Sequence, residues 1–348
     1  MKKVISVILA VMISLSCLAL FASAADSYPV EAAFSKNGAY TVTAEIFECD
    51  EADYDYYKVW YPAELADIEG KLPVIIYNNS SGMTDNTVET QAMMKAFASW
   101  GFIGLTNNHK KTGFGDSASK GLDFLMALAA DEESIFYGRI DFDAVGLCGH
   151  SQGGSGAFNA ASEGKYENSH IFTSICAISA PHSELAASEW QQTPYDISKV
   201  SAPAFLIAGT KSDEAGYMLD SGICPLGMGL IANMKAINND NVVIGRIKDA
   251  WHVDTQAESQ AYAIAWFMWT LKGDEFAATA FTGEGAELFN NNKWQDVYNK
   301  QSENLPENPD PYDPEVFDNS IFIEIYKAFS DIIDRILNFF MSLISNFV

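Results

Sequence analysis

The sequence predicts an α/β domain built on a doubly wound, mostly parallel sheet with an antiparallel start and no inserted lid. Five apolar runs carry most of this reading: "LPVIIYN" (72–78), "FIGLTN" (102–107), "DAVGLCG" (143–149), "FTSICAIS" (172–179) and "APAFLIAG" (202–209). They show little alternation, as strands do when both of their faces are buried. Helix-like segments at 88–100, 117–130 and 153–161 lie between most of them, and strand alternating with helix gives a parallel sheet covered on two sides. Ahead of these runs, "YTVTAEI" (40–46) and "YYKVWY" (56–61) are β-branched and aromatic and flank the acidic turn "DEAD", the pattern of an antiparallel pair. A last strand, "NVVIGRI" (241–247), precedes a helical pattern from Thr255 to Leu271. No fixed repeat is visible.

The ends of the chain differ in composition from this body. Met1-Lys2-Lys3, an apolar stretch from Val4 to Leu20 and the small residues Ala22-Ser23-Ala24 have the three-part layout of a secretory signal peptide. The apolar core is shorter than a bilayer needs. Cys17 lies inside that core with Ser14 three residues before it, which does not fit a lipoprotein site. The expected division is a leader at 1–24, one catalytic domain at 25–302, a proline- and acid-rich linker at 303–316 and an amphipathic helix at 317–348. In that last segment Phe322, Ile325, Phe329, Ile332, Ile336, Phe340, Leu343 and Phe347 recur at steps of three and four. Interspersed charges, among them Glu324, Lys327 and Arg335, argue against a membrane span. The stripe suits docking on its own domain, self-association or attachment to a membrane surface equally well. The protein is expected to be secreted, either released or held at the cell surface.

The net charge of −25 becomes −27 once Lys2 and Lys3, the leader's only charged residues, are removed. Such a surface repels nucleic acid and anionic membranes, so a phosphate-backbone partner is not expected. Cys148 and Cys176 lie in apolar runs and read as small buried hydrophobes. Cys49 and Cys224 could pair outside the cell, which the sequence alone does not decide.

The chemistry centres on "VGLCGHSQGG" (145–154), where Gly149-His150-Ser151-Gln152-Gly153 matches G-x-S-x-G at the end of a buried strand and the start of a helix. A serine there occupies a strained turn, and the glycines two places to either side let strand and helix approach. Its hydroxyl needs a base, and the base needs a carboxylate, in the chain order serine, acid, histidine. His252 in "KDAWHVD" fits as the base. His182 comes before the strand that leads to the acid, His109 and His150 precede the serine, and His170 leads into a strand. The acid is expected in "TKSDEAG" (210–216), with Asp213 preferred and Glu214 the competitor. Two backbone N–H groups must face the developing oxyanion. One belongs to Gln152 and the other to "NSSG" (79–82), where Ser80 is preferred and Asn79 or Ser81 lie one residue away. This chemistry needs no cofactor and no metal.

Together with "TGFG" (112–115), the Gly209-Thr210 opening of the acid loop, "WHVD" (251–254) and "AYAIAWFMWTLKGD" (261–274), these residues resemble the cutinase-like polyesterases, chlorophyllases and dienelactone-hydrolase-type esterases of the α/β-hydrolase superfamily. The resemblance covers residues 40–282 and implies a secreted serine esterase acting on a small-molecule or polymeric ester. It also implies that His182, where polyester-degrading relatives place an aromatic residue, helps hold the acyl part. Gln152 stands where those relatives often carry Met, and the acid lies about one residue later than usual. A peptidase or amidase of the same fold, and a non-catalytic surface protein on a hydrolase scaffold, are the competing expectations.

Overall fold

Nine strands form one sheet in a computed structural model of the chain, which describes residues 28–216, 222–307 and 309–310. In chain order they are β1 (Val42–Glu48), β2 (Tyr56–Pro62), β3 (Leu72–Asn78), β4 (Ile103–Asn107), β5 (Ile140–His150), β6 (Phe172–Ile178), β7 (Ala204–Gly209), β8 (Val242–Ile247) and β9 (Trp294–Asn299). The spatial order is β1-β2-β4-β3-β5-β6-β7-β8-β9. β3 to β8 run parallel, while β1 and β2 open the sheet antiparallel and β9 closes it antiparallel against β8. The doubly wound α/β reading therefore holds, with a closing strand that the apolar runs did not reveal. The leader and the helix expected at 317–348 lie outside the described residues.

Period-two alternation sends the central strands' side chains to two cores. Val74 and Ile76 of β3, with Ile175 and Ala177 of β6, face one side; Ile75 and Tyr77, with Cys176 and Ile178, face the other. The first core is covered by α3 (Asp116–Ala130) through Leu122 and Leu125 and by α4 (Gln152–Ala160) through Ala157 and Phe158. The second is covered by α1 (Pro29–Phe34), α2 (Val88–Ser99) and α5 (Gln260–Lys272), which contribute Phe34, Phe97, Trp266 and Phe267. Each large side chain buried in these layers stabilises by about 1.5–3 kcal/mol. The helical pattern expected from Thr255 to Leu271 is split at Ser259 into Thr255–Glu258 and α5.

Side-chain bonds close the two ends. Arg246 of β8 donates to Asp296 of β9 through Nε (2.9 Å) and Nη2 (2.6 Å). Glu287 accepts from the backbone N–H groups of Val30 and Glu31 at 2.7 and 2.8 Å and from the Tyr262 hydroxyl at 2.8 Å, which caps α1 with a buried carboxylate. Of the stretch expected to be a linker, Asp310 reaches back to the domain, accepting from the N–H groups of Gly227 and Met228 at 2.8 Å each. The four described cysteines are free thiols, so Cys49 and Cys224 are not paired, while Cys148 and Cys176 are buried in the second core.

Candidate active site

The site forms where the parallel strands end. β5 runs to His150, and Ser151 follows in a backbone conformation (φ 57°, ψ −127°) that side-chain-bearing residues seldom adopt. Its N–H donates to the Ile178 carbonyl on β6 at 2.8 Å, and α4 begins at the next residue. The turn is sharp because α4 lies directly against strand ends: a methyl on Gly149 would strike the Gly153 carbonyl, and one on Gly153 would strike the Asn78 carbonyl at the end of β3. As first residue of α4, Gln152 has an N–H with no carbonyl one turn earlier to receive it.

His252 lies in the loop after β8, where several contacts hold it. Its ring Nδ1 bonds Glu214 Oε1 at 2.9 Å, and its backbone N–H donates to Asp213 Oδ2 at 3.0 Å. Thr255 Oγ1 donates to its carbonyl at 2.9 Å. The preferred and competing acids thus both reach His252, but at different places. Asp213 takes the backbone, and Glu214, with no exposed surface, takes the imidazole. The reason is local: the two acids sit on a single helical turn, Ser212–Ala215, where successive side chains diverge by about 100°. The acid loop and the histidine loop are further joined by the N–H groups of Thr210 and Lys211, both donating to the Ala250 carbonyl, and by a 2.9 Å ion pair from Lys211 to Asp249.

The loop after β3 is fixed by Asn79, whose buried side-chain amide donates to the carbonyls of Asn107 (2.7 Å) and His109 (3.0 Å). Thr112 of the "TGFG" turn donates to the Asn79 carbonyl at 2.6 Å. Ser80, next in the chain, bonds His150 Nδ1 through its hydroxyl at 2.7 Å. His150 Nε2 in turn lies 2.9 Å from the His252 carbonyl, and the two imidazole rings are 4.7 Å apart. Ser80, Ser151, Gln152 and His252 therefore lie around His150, which chain order had set aside, at the C-terminal ends of the parallel strands. Desolvation, reinforced by the neighbouring His252, pushes the His150 ring down to about 3, so it is neutral at physiological pH.

His182, expected to help hold the acyl part, is enclosed like Ser151 and Gln152. It is 1% exposed, its N–H donates to the Ile223 carbonyl, and burial lowers its pKa. Exposed apolar groups neighbour the site residues in the chain: Met83 after Ser80, Trp190 beside Gln191, Trp251 and Val253 on either side of His252, and Phe114 in the "TGFG" turn. The Gln152 amide donates to Gln191 Oε1 at 3.3 Å, which sets Trp190 near the elbow. Lone exposed aromatics in polar loops give no periodic signal, so the sequence did not single them out. A separate groove of about 740 Å³ along β1 and β2, lined among others by Lys58, Trp60, Gln91 and Lys95, contains none of these residues.

A family model described as PET hydrolase-like matches residues 25–287. No curated protein matches the chain.

Proposed function

The chain belongs to the PET hydrolase-like family, ester hydrolases of the α/β-hydrolase fold, and from that premise we propose that it cleaves carboxylic esters with Ser151 as nucleophile, His252 as base and Glu214 as the acid that orients it. The observation that carries this reading is the 2.9 Å bond from His252 Nδ1 to the fully buried Glu214 carboxylate, at the strand ends where Ser151 occupies its strained turn. A carboxylate on Nδ1 leaves Nε2 free to take the serine proton.

In the first half-reaction Ser151 Oγ attacks the ester carbonyl carbon as its proton passes to His252. The carbonyl oxygen becomes an oxyanion, received by the N–H groups of Gln152 and Ser80. Collapse of the tetrahedral intermediate breaks the bond to the alcohol oxygen, which leaves with the proton from His252. Water then attacks the acyl-enzyme, gives its proton to His252, and the acid departs as Ser151 regains its own. Glu214 holds the ring at Nδ1 and stabilises the imidazolium that forms. Met83, Phe114, Trp190, Trp251 and Val253 support a substrate with an apolar acyl part presented on an accessible surface. The leader pattern of residues 1–24 supports export, and the apolar stripe at 317–348 supports attachment to a membrane or to a second copy.

The test is hydrolysis of short-chain p-nitrophenyl esters by the mature chain. Ser151→Ala is expected to lower kcat by at least about a thousandfold. Turnover unchanged in that variant would sink the mechanism.

A further inference from the structure

His150 precedes the nucleophile and is buried, yet both of its ring nitrogens are bonded, and each partner belongs to a different loop of the site. The chemistry of those partners fixes the proton. A backbone carbonyl only accepts, so the contact from Nε2 to the His252 carbonyl requires that Nε2 carry the hydrogen. In the neutral ring Nδ1 is then an acceptor, and the Ser80 hydroxyl donates to it. The chain of bonds continues beyond His252. Its carbonyl also accepts from Thr255 Oγ1, which lies 2.8 Å from Ser179 Oγ at the end of β6. We propose that His150 is a positioning residue, a neutral Nε2–H strut that ties the oxyanion loop at Ser80 to the backbone of His252 and so sets donor and base at one spacing.

The proposal rests on the esterase reading given above, since the spacing matters only if Ser80 and His252 act on one carbonyl. The strut needs no change of charge during turnover: desolvation keeps the ring neutral, and the titratable group facing it is His252. It also gives Ser80 a purpose separable from its N–H, because the hydroxyl can be removed while the backbone donor stays.

Kinetics of the full mature chain on p-nitrophenyl butyrate test it. His150→Phe keeps a ring but makes neither bond, and Ser80→Ala removes only the hydroxyl. Each is expected to lower kcat by about 10- to 100-fold, the scale of a small misplacement of catalytic groups, with KM changed by less than about twofold. The double variant should be no slower than the slower single one, because both cut the same strut. His150→Gln, whose amide can donate to the carbonyl and accept from Ser80, should recover part of the loss. Nitrogen NMR of the wild-type chain should show Nε2 protonated and Nδ1 bare for His150, with Nδ1 shifting in Ser80→Ala. Wild-type kcat in either single variant, multiplicative losses in the double, or the opposite tautomer overturns the proposal. Labelling of wild-type Ser151 by a fluorophosphonate separates the two readings. Absence of label removes the esterase and the strut's role with it, whereas normal labelling with uncoupled variants removes the strut alone.

Discussion

Asp213 and Glu214 are neighbours with the same charge, and His252 uses both, one at its backbone and one at its ring. Replacing each separately should give unequal results. Glu214→Gln takes the charge from the imidazole and is expected to lower kcat by about 10⁴-fold, as loss of a triad carboxylate does elsewhere. Asp213→Asn weakens only the hold on a backbone N–H and should cost about tenfold, at the scale of one hydrogen bond to a charged group. Equal losses would contradict the division of labour. Chain order led to the dipeptide that the structure sets against His252 and did not choose between its two acids, because a one-residue step on a helical turn swings the carboxylate by about 100°. His150 was hidden for a related reason: the order rule looks downstream of the serine, while this ring lies beside it, bonded to Ser80 and to the His252 carbonyl. Its burial also has a consequence for stability. With the folded ring at about 3 against an ordinary 6.5, the unfolded chain binds a proton between those values that the folded chain refuses. That contribution is whole above about pH 6.5 and is lost as pH falls, by up to about 1.4 kcal/mol per unit. Urea midpoints from pH 7.5 to 4.5 should therefore fall less steeply in His150→Phe than in the wild type. Parallel slopes would show that the ring is not the source.

The β5–α4 elbow depends on close approach. Gly153→Ala would drive a methyl into the Asn78 carbonyl at the end of β3, where backbone cannot yield as a flexible side chain could. A loss of about 1–3 kcal/mol, together with reduced labelling of Ser151, is expected from thermal unfolding and fluorophosphonate assays; wild-type values for both would mean the helix has room to retreat. This crossing was legible in the sequence because it is written in glycines at fixed offsets. The central strands were legible because each is apolar along its length. β9 was not, since Trp294 is its one fully buried residue and the rest of "WQDVYN" is half-buried at the sheet's edge. The break at Ser259 was missed because no glycine or proline marks it, and the apolar spacing on either side continues unbroken.

Across the whole molecule, distant parts of the chain secure one another. Asp310 holds the N–H groups of Gly227 and Met228, and the acid loop ties into the same region where the Cys224 N–H donates to the Glu214 carbonyl. Asp310→Ala should lower stability by about 1–2 kcal/mol, the value of a charged cap, and hydrogen exchange at Gly227 and Met228 should quicken. Unchanged exchange there would show that the bonds do not persist in solution. The Glu287 cap on α1 has a consequence of another kind, in the timing of folding. A six-residue helix does not hold by itself in water, and the carboxylate that caps it is made 257 residues after Val30. While the chain is being synthesised, α1 can meet α2 early, through Phe34 against Trp100, but its capping carboxylate arrives only when the domain is nearly complete. Until then α1 lacks both its buried cap and the α5 surface it lies against.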